Sequence, residues 1–537
     1  MYTKHVKTKE TAQTEPIFGR EPEMIKNNAG GYNFQATVWT RLNRFLILGA
    51  EGNSFYQNEK ERVLENAEVI KECLKEDGLE TVKRIVDVSL KGRAKKQEPT
   101  LFALACAATF GDSITKKAAY DAIHKVCRTG TMLFTFTGYI QDLRGWSAGL
   151  RKGVAKFYTD RGDTDLEEKS LDLQLVKYRQ RNGFTHRDVI RLAHPKPKTQ
   201  RQDQYFRYAV GKNALLPGDS KCKTYEEIKN LDFNRGNTSR VVKEILDKDL
   251  PREAIPTSFL NSPEVWEALL HKMPMTALVR NLNQFAKMEL TLSNMSNTTK
   301  EIVKKLSDPV AISKSRIHPM QVLLAMKTYT SGRGFKGTDT WSPNTRIADA
   351  LDDMFYESFE NTTPTGKNQL IGIDVSGSMG MYHVPNSNLT CMEAAAAMAM
   401  VIARSEPNYD MMVFSDKPQM VDISPTDRLD TVMSKIFSFR MGATDCSLPM
   451  IYAHAKKLDV DTFSIYTDNE TYAGKMHPKQ ALDGYRKSFN PEARLAVVAF
   501  QSVNHTIADP ADSGMLDISG FDTATPKILE DFNRGLI

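Results

Sequence analysis

Asn361-Thr-Thr-Pro-Thr-Gly-Lys-Asn-Gln-Leu-Ile-Gly-Ile-Asp-Val-Ser-Gly-Ser378 is where the chain changes grammar. Its first eight residues form a polar Pro/Gly hinge of the kind that separates domains. Gln369–Ile373 then reads as a short apolar strand, with Asp374-Val-Ser-Gly-Ser378 as the loop that leaves it. Downstream, strands are predicted at Met411–Phe414, Thr462–Tyr466 and Leu495–Phe500. They alternate with helices at Met392–Ala403, Leu429–Phe437, Leu448–Lys457, Lys479–Ser488 and Pro526–Asn533. Such alternation calls for a doubly wound α/β domain, a parallel sheet covered on both faces. Thr390-Cys-Met-Glu393 supplies a capping box for the helix at 392.

Upstream, from about residue 58 to 357, the apolar spacing is helical almost throughout. Val63, Leu64, Ala67, Ile70 and Leu74 recur on one helical face and stop at Gly78. Further helical segments follow, with no convincing strand between them, which predicts an all-α solenoid. An irregular all-α globule fits the same pattern. No strict period is readable, so a tetratricopeptide or ankyrin array is not expected. The expected layout is a flexible N-terminus (1–15), a helical-repeat domain (16–365) and an α/β domain (366–537).

The 537 residues correspond to two or three domains at ~100–200 residues each. Apolar residues make up 41 % and charged residues 26 %, so a core forms without disulfides. The uncharged run Ala394–Ala403 falls well short of the ~18 residues of a membrane span. The polar stretch Met1–Pro16 lacks an apolar segment and does not read as a secretory signal. The six cysteines are scattered with no CxxC pair, as in reduced intracellular chains. Net charge is +6, yet residues 366–537 carry 15 Lys/Arg against 21 Asp/Glu. The first 365 residues therefore hold an excess of 12 positive charges and are expected to face a polyanion.

In a doubly wound sheet, chemistry gathers at the carboxyl ends of the strands. Three loops place Asp374, Ser376, Ser378, Thr444 and Asp468 on that rim. All five offer hard oxygen donors, which favours one divalent cation, Mg²⁺ with Mn²⁺ as the alternative, over zinc. Taken alone, Asp374-Val-Ser-Gly-Ser378 could be an ordinary hydrogen-bonded turn. With Thr444 and Asp468 in order, the set resembles the metal-ion-dependent adhesion site (MIDAS) of the von Willebrand factor A family. That resemblance implies direct ligation by Ser376, Ser378 and Thr444. It gives Asp374 and Asp468 a direct or water-mediated role, and leaves an open position for a carboxylate from a protein partner. Asn469 stands where the family commonly has Gly, and Met381–Leu389 displaces the first helix. Thr365-Gly-Lys-Asn368 lacks the leading glycine and the hydroxyl of a phosphate loop, so nucleotide hydrolysis is not expected.

The densest basic stretch is Lys177–Lys212, ten Lys/Arg against Asp188 and Asp203. Tyr178, Phe184, Tyr205, Phe206 and Tyr208 are interleaved with them. Cations neutralise phosphates and aromatic planes stack unpaired bases; equally, the aromatics could fill a helical core. A helix at Arg187–Ala193 puts Arg187 and Arg191 on one face, with His186 at an N-terminus that can attract phosphate or simply be capped.

Thr185-His-Arg-Asp188, Leu192-Ala-His-Pro-Lys196, Gly332-Arg-Gly-Phe335, Thr340-Trp-Ser-Pro-Asn344 and Ile347-Ala-Asp-Ala-Leu-Asp352 resemble the hallmarks of the TROVE domain. Followed by an A domain, they are similar to the Ro ribonucleoprotein family from about residue 16 onward. The resemblance implies a non-enzymatic protein of noncoding RNA quality control, cytoplasmic with a nuclear pool. It also implies an all-α HEAT-like helical-repeat ring, an outer basic surface for Y RNA, and a positive central hole for single-stranded 3′ ends of misfolded noncoding RNAs. RNA contacts are expected from Lys169, Lys177, Arg181, His186, Arg187, Arg191, Lys196, Lys198 and Arg207. Which of them face the hole and which the outer surface is left open. The rival readings are a divalent-ion-dependent protein-interaction scaffold, in which RNA binding is secondary, and a metal-using motor or nuclease. A lone serine-rich ion site argues against two-metal cleavage.

Overall fold

A computed structural model describes residues 10–48, 59–94, 96–143, 145–160, 165–334, 338–384, 389–439, 442–500, 505–519 and 525–536; the side chains of 48, 59–67, 165–170 and 519 lie outside that description. The described residues fall into two compact units. One lies within 45–304; the other joins the segment ending at Arg44 to the segment beginning at Lys305. No helix is long and apolar enough to cross a membrane among the described residues.

The first unit is a stack of short helices, including Gly78–Leu90, Glu98–Phe110, Ser113–Val126, Gly130–Leu143 and Ala148–Thr159. Glu98–Phe110 is apolar all round, and its residues from Pro99 to Thr109 are buried, so neighbours surround it. Gly153 lets Ala148–Thr159 approach Ser113–Val126 closely: a Cβ there would sit 2.7 Å from the Tyr120 carbonyl oxygen. Asp77, Asp112 and Ser147 cap three of these helices with side-chain oxygens. One short hairpin interrupts the helices: Gln180–Arg181 pairs with Phe184–Thr185.

The second unit is built on a six-stranded sheet: β1 (Gln369–Asp374), β2 (Tyr409–Phe414), β3 (Pro418–Met420), β4 (Thr462–Thr467), β5 (Arg494–Ala499) and β6 (Met515–Ser519). The order is β6-β5-β4-β1-β2-β3, parallel except for the edge strand β3. Pro418 is tolerated there because it opens an edge strand. The two central strands, β1 and β4, are buried along their whole length, as helices on both faces require.

Residues 361–368 lie within this compact unit. The Glu406 carboxylate accepts the amides of Thr365 (2.8 Å) and Gly366 (3.1 Å). Arg404 lies over the rings of Tyr356 (4.9 Å) and Phe359 (5.1 Å). The N-terminal segment also belongs here. Met24–Lys26 and Tyr32–Gln35 form an antiparallel pair that His505–Thr506 extends to three strands. Arg44 pairs with buried Asp517 at 2.6 Å. Of the N-terminus expected to be flexible (1–15), residues 1–9 lie outside the described residues; in 10–15 Gln13 is fully buried, while Glu10, Thr14 and Glu15 are exposed.

Gly372 in β1 is a point of tight packing, since a Cβ there would meet the Pro449 ring at 2.7 Å and the Phe414 ring at 3.1 Å. Gly372→Ala should lower unfolding stability by about 1–3 kcal/mol through overpacking, read as a reduced urea midpoint with unchanged slope.

Candidate metal rim and nucleic-acid surface

β1 ends at Asp374, whose side chain is fully buried. One carboxylate oxygen accepts the Ser376 amide (2.8 Å), the other the Thr467 hydroxyl (2.8 Å) from the end of β4. Ser376 and Ser378 bring their hydroxyl oxygens to 3.1 Å of each other. Ser378 also hydrogen-bonds the carboxylate of Asp468, the residue that follows β4. Thr444 is buried in the adjoining loop. Its carbonyl accepts the amides of Tyr472 and Ala473 (3.0 Å each), which ties that loop to the one after β4. Asp374, Ser376, Ser378 and Asp468 are thus joined through side chains, and Thr444 through its backbone.

Burial, and then the charge of Asp468, pushes the Asp374 carboxyl up to about 7. Burial pushes Asp468 upward as well, against the Ser378 hydrogen bond. Neither carboxylate is ion-paired among the described residues. Nor do those residues contain a cluster of three His, Cys, Asp or Glu side chains suited to a metal. A cation at this rim would therefore depend on hydroxyl donors. Two buried carboxylates that resist charging together, beside converging hydroxyls, fit a hard divalent ion.

Asn469, the departure noted above, has φ +77°. Asparagine is among the few residues that tolerate the left-handed region where glycine is usual. It also makes bonds glycine could not: its side-chain amide donates to the His505 carbonyl (3.1 Å).

On the helical unit, Asn182 (φ +49°) and Gly183 (φ +78°) form the two-residue turn of the short hairpin. That Asn-Gly pair was a signal the helical reading passed over. Thr185 then caps the helix His186–Ala193 in a reciprocal box with Asp188. The Asp188 carboxylate already accepts the Thr185 amide (2.9 Å) and hydroxyl (2.6 Å), so an acidic group occupies the position proposed for phosphate.

His186 is placed in the core rather than on a surface. Its Nδ1 lies 3.0 Å from the Tyr158 hydroxyl and its Nε2 3.2 Å from the Gln174 carbonyl oxygen, with the Phe134 ring edge-on at 4.7 Å. At 4 % exposure it offers no face to RNA in this structure. Tyr205 and Phe206 are core residues too, as the packing alternative predicts.

Arg181, Arg187, Arg191, Lys196, Lys198 and Arg207 are exposed. Arg207 pairs with Asp203 (2.6 Å), Lys198 with Asp160 (3.3 Å), and Arg191 reaches the Val210 carbonyl (3.4 Å). The side chains of Arg181, Arg187 and Lys196 make no ion pair or hydrogen bond among the described residues. Half-buried Lys177 lies 5.5 Å from the centre of the Tyr178 ring. Lys169 falls in the helix Asp165–Lys177, but its side chain lies outside the described residues.

The second hallmark segment is structural where it is described. Trp341 Nε1 donates to the Tyr329 carbonyl (2.9 Å). Asn344 caps the helix Thr345–Glu357, and its backbone amide donates to the Tyr329 hydroxyl oxygen (2.9 Å). Phe335 lies outside the described residues.

In metal-free protein, Asp374 ties stability to pH. Its folded value lies above its unfolded one, so the folded state holds a proton that the unfolded state releases. Its contribution is present at low pH and lost as pH rises from about 4 through about 7. Wild type should therefore lose thermal stability relative to Asp374→Asn across that window in EDTA, by differential scanning fluorimetry.

Comparison with known proteins agrees with both halves of the chain. The TROVE domain model matches residues 25–244 and 233–367, and the Ro60 vWA domain model matches 368–533. The chain is 36 % identical over 527 residues to RNA-binding protein RO60 of Deinococcus radiodurans, covering 97 % of each chain. It is 35 % identical over 590 residues to RNA-binding protein RO60 of Caenorhabditis elegans, covering 96 % of this chain and 90 % of that one. The crystal structure of the Deinococcus radiodurans Ro (Rsr) protein superposes with a TM-score of 0.78 at 34 % identity, covering 93 % of this chain and all of that one. These relatives are named as RNA-binding proteins, not enzymes. The chain belongs to the Ro60 family of RNA-binding proteins, a TROVE domain followed by a von Willebrand A domain.

Proposed function

We propose that this protein binds small noncoding RNAs of two kinds in RNA quality control: Y RNA on an outer basic surface, and misfolded RNAs with single-stranded 3′ ends through a positive central hole. The observation that carries RNA binding is the exposed cation set Arg181, Arg187, Arg191 and Lys196, on or beside one hairpin and one helix. The side chains of Arg181, Arg187 and Lys196 spend no hydrogen bond or ion pair on the described protein, so a phosphate backbone would displace none to reach them. The phosphate term dominates such affinity and weakens with salt as counterions are released. The hole adds a geometric filter that admits a free end and rejects a closed duplex.

The second reading gives the A domain separate work, favoured by the convergence of Asp374, Ser376, Ser378 and Asp468. Ser376, Ser378 and Thr444 would hold a Mg²⁺ directly, Asp374 and Asp468 directly or through water. The ion would compensate the buried carboxylates and offer a position to a carboxylate of a protein partner.

Arg187→Ala with Lys196→Ala should weaken binding to a single-stranded RNA about tenfold or more, and reduce the slope of log affinity against log salt by about 1.4. Fluorescence anisotropy across a salt series reads both. Circular RNA should compete poorly with linear RNA of the same sequence; equal competition would overturn threading. Ser376→Ala should abolish divalent-ion binding in calorimetry and leave RNA affinity within about twofold. Equal loss of both would make the ion structural.

A further inference from the structure

The N-terminal segment carries three side-chain amides that all reach loops of the metal rim. Gln13 Nε2 donates to the Asp445 carboxylate (2.7 Å) and the Met476 carbonyl (2.9 Å), while its Oε1 accepts the Thr471 hydroxyl (2.6 Å). Its backbone is engaged too: Gln13 N donates to the Gly474 carbonyl (2.9 Å), and its own carbonyl accepts Tyr32 N (2.7 Å). Asn27 donates to the Thr471 carbonyl (2.8 Å) and Asn33 to the Asn469 carbonyl (3.0 Å). Gln13, Asn27 and Asn33 are all buried. Their targets at 445, 469 and 471 stand one to three residues from Thr444 or Asp468.

The approach is close. A Cβ on Gly31 would collide with the Thr471 carbonyl oxygen, and one on Gly474 with both Gln13 Nε2 and the Asp445 carboxylate. The connection also continues inward. The Asn469 amide donates to Thr467 Oγ1 (3.2 Å), and that hydroxyl donates to Asp374 (2.8 Å). The contacts at this rim made by Gln13, Asn27 and Asn33 are neutral amides, which orient carbonyls and carboxylates without adding a charge that would compete with a cation.

We propose that residues 10–35 are a built-in clasp for the metal rim, with Gln13 as the positioning residue that sets the Thr444-Asp445 and Asn469–Met476 loops for ion binding. The inference rests on the divalent-ion reading above. It makes the N-terminal segment and the ion mutually dependent: whatever orders one must order the other by the same factor.

The test uses full-length protein and Mn²⁺ alone. Calorimetry first establishes binding to wild type and its absence in Ser376→Ala. Hydrogen exchange with mass spectrometry then follows peptides covering residues 10–35 with and without Mn²⁺. The expected result is exchange slowed at least fivefold by Mn²⁺ around Gln13 and Tyr32 in wild type, and unchanged in Ser376→Ala. Gln13→Ala should bind Mn²⁺ at least tenfold more weakly. A segment that only packs would show no response to the ion, so Mn²⁺ binding with unchanged exchange overturns the clasp while leaving the metal reading intact. No Mn²⁺ binding to wild type overturns the metal reading and the clasp with it. Should Gln13→Ala fail to fold, the exchange measurement on wild type still decides.

Discussion

Burial of Asp374 beside Asp468 is the constraint around which the A domain is organised. A parallel sheet covered by helices must bury the ends of its central strands, and β1 ends on a carboxylate. Water cannot solvate that group, so the protein surrounds it with donors: the Ser376 amide, the Thr467 hydroxyl and, on the neighbouring acid, Ser378. These donors soften the charge without cancelling it, because each hydrogen bond recovers only part of the desolvation cost. A salt bridge would cancel it outright; here none is present among the described residues. A fold optimised only for stability would place an apolar residue at the end of β1. Two buried acids, the charge of one felt by the other, make sense if a mobile positive charge completes the site.

The helical unit solves a different problem with the same economy. Each helix of the basic stretch must bury one face, and Val189, Ile190, Ala193, Tyr205 and Phe206 do so. Cations left over on the outer face are then available at no packing cost, which is why Arg187 and Arg191 share an exposed side at i, i+4. His186 belongs to the buried side. Its imidazole bridges Tyr158 and the Gln174 carbonyl, and Gly130 has no side chain because a Cβ would press on that ring at 2.9 Å. In the Thr-His-Arg-Asp motif, therefore, Thr185 and Asp188 cap, His186 packs, and only Arg187 faces outward.

Periodicity exposed the two architectures because each has a dominant period: near 3.6 residues before residue 357, strand–helix alternation after 369. The five rim residues were readable for a related reason, since a strand end in a parallel sheet fixes where its loop lies. What escaped the sequence shares one property, dependence on partners distant in the chain. Met24–Lys26 and Tyr32–Gln35 are short strands that gain a third member only from His505–Thr506, some 470 residues away. Gln13 is an unremarkable polar residue until Asp445 and Thr471 are beside it. The hairpin at 180–185 was the exception, because Asn182-Gly183 announces a tight turn locally. His186 shows the opposite error: a motif residue's association with RNA says nothing about which side of its helix it occupies, and burial pattern does.

Electrostatics keeps the two candidate activities separable within one chain. Residues 1–365 carry the positive excess and residues 366–537 the negative one, so a polyanion is drawn to the former and repelled by the latter whatever else the protein binds. A divalent cation at the rim would change the second balance by only two charges, and would leave the exposed arginines as they are. RNA affinity should therefore track bulk ionic strength, while the rim responds to one ion's activity and to the hydrogen bonds that hold its loops. The neutrality of Gln13, Asn27 and Asn33 belongs to the same logic: Gln13 meets the Asp445 carboxylate, and Asn27 and Asn33 meet backbone carbonyls, as uncharged amides, so these contacts hold the loops without adding a fixed positive charge where an ion would bind.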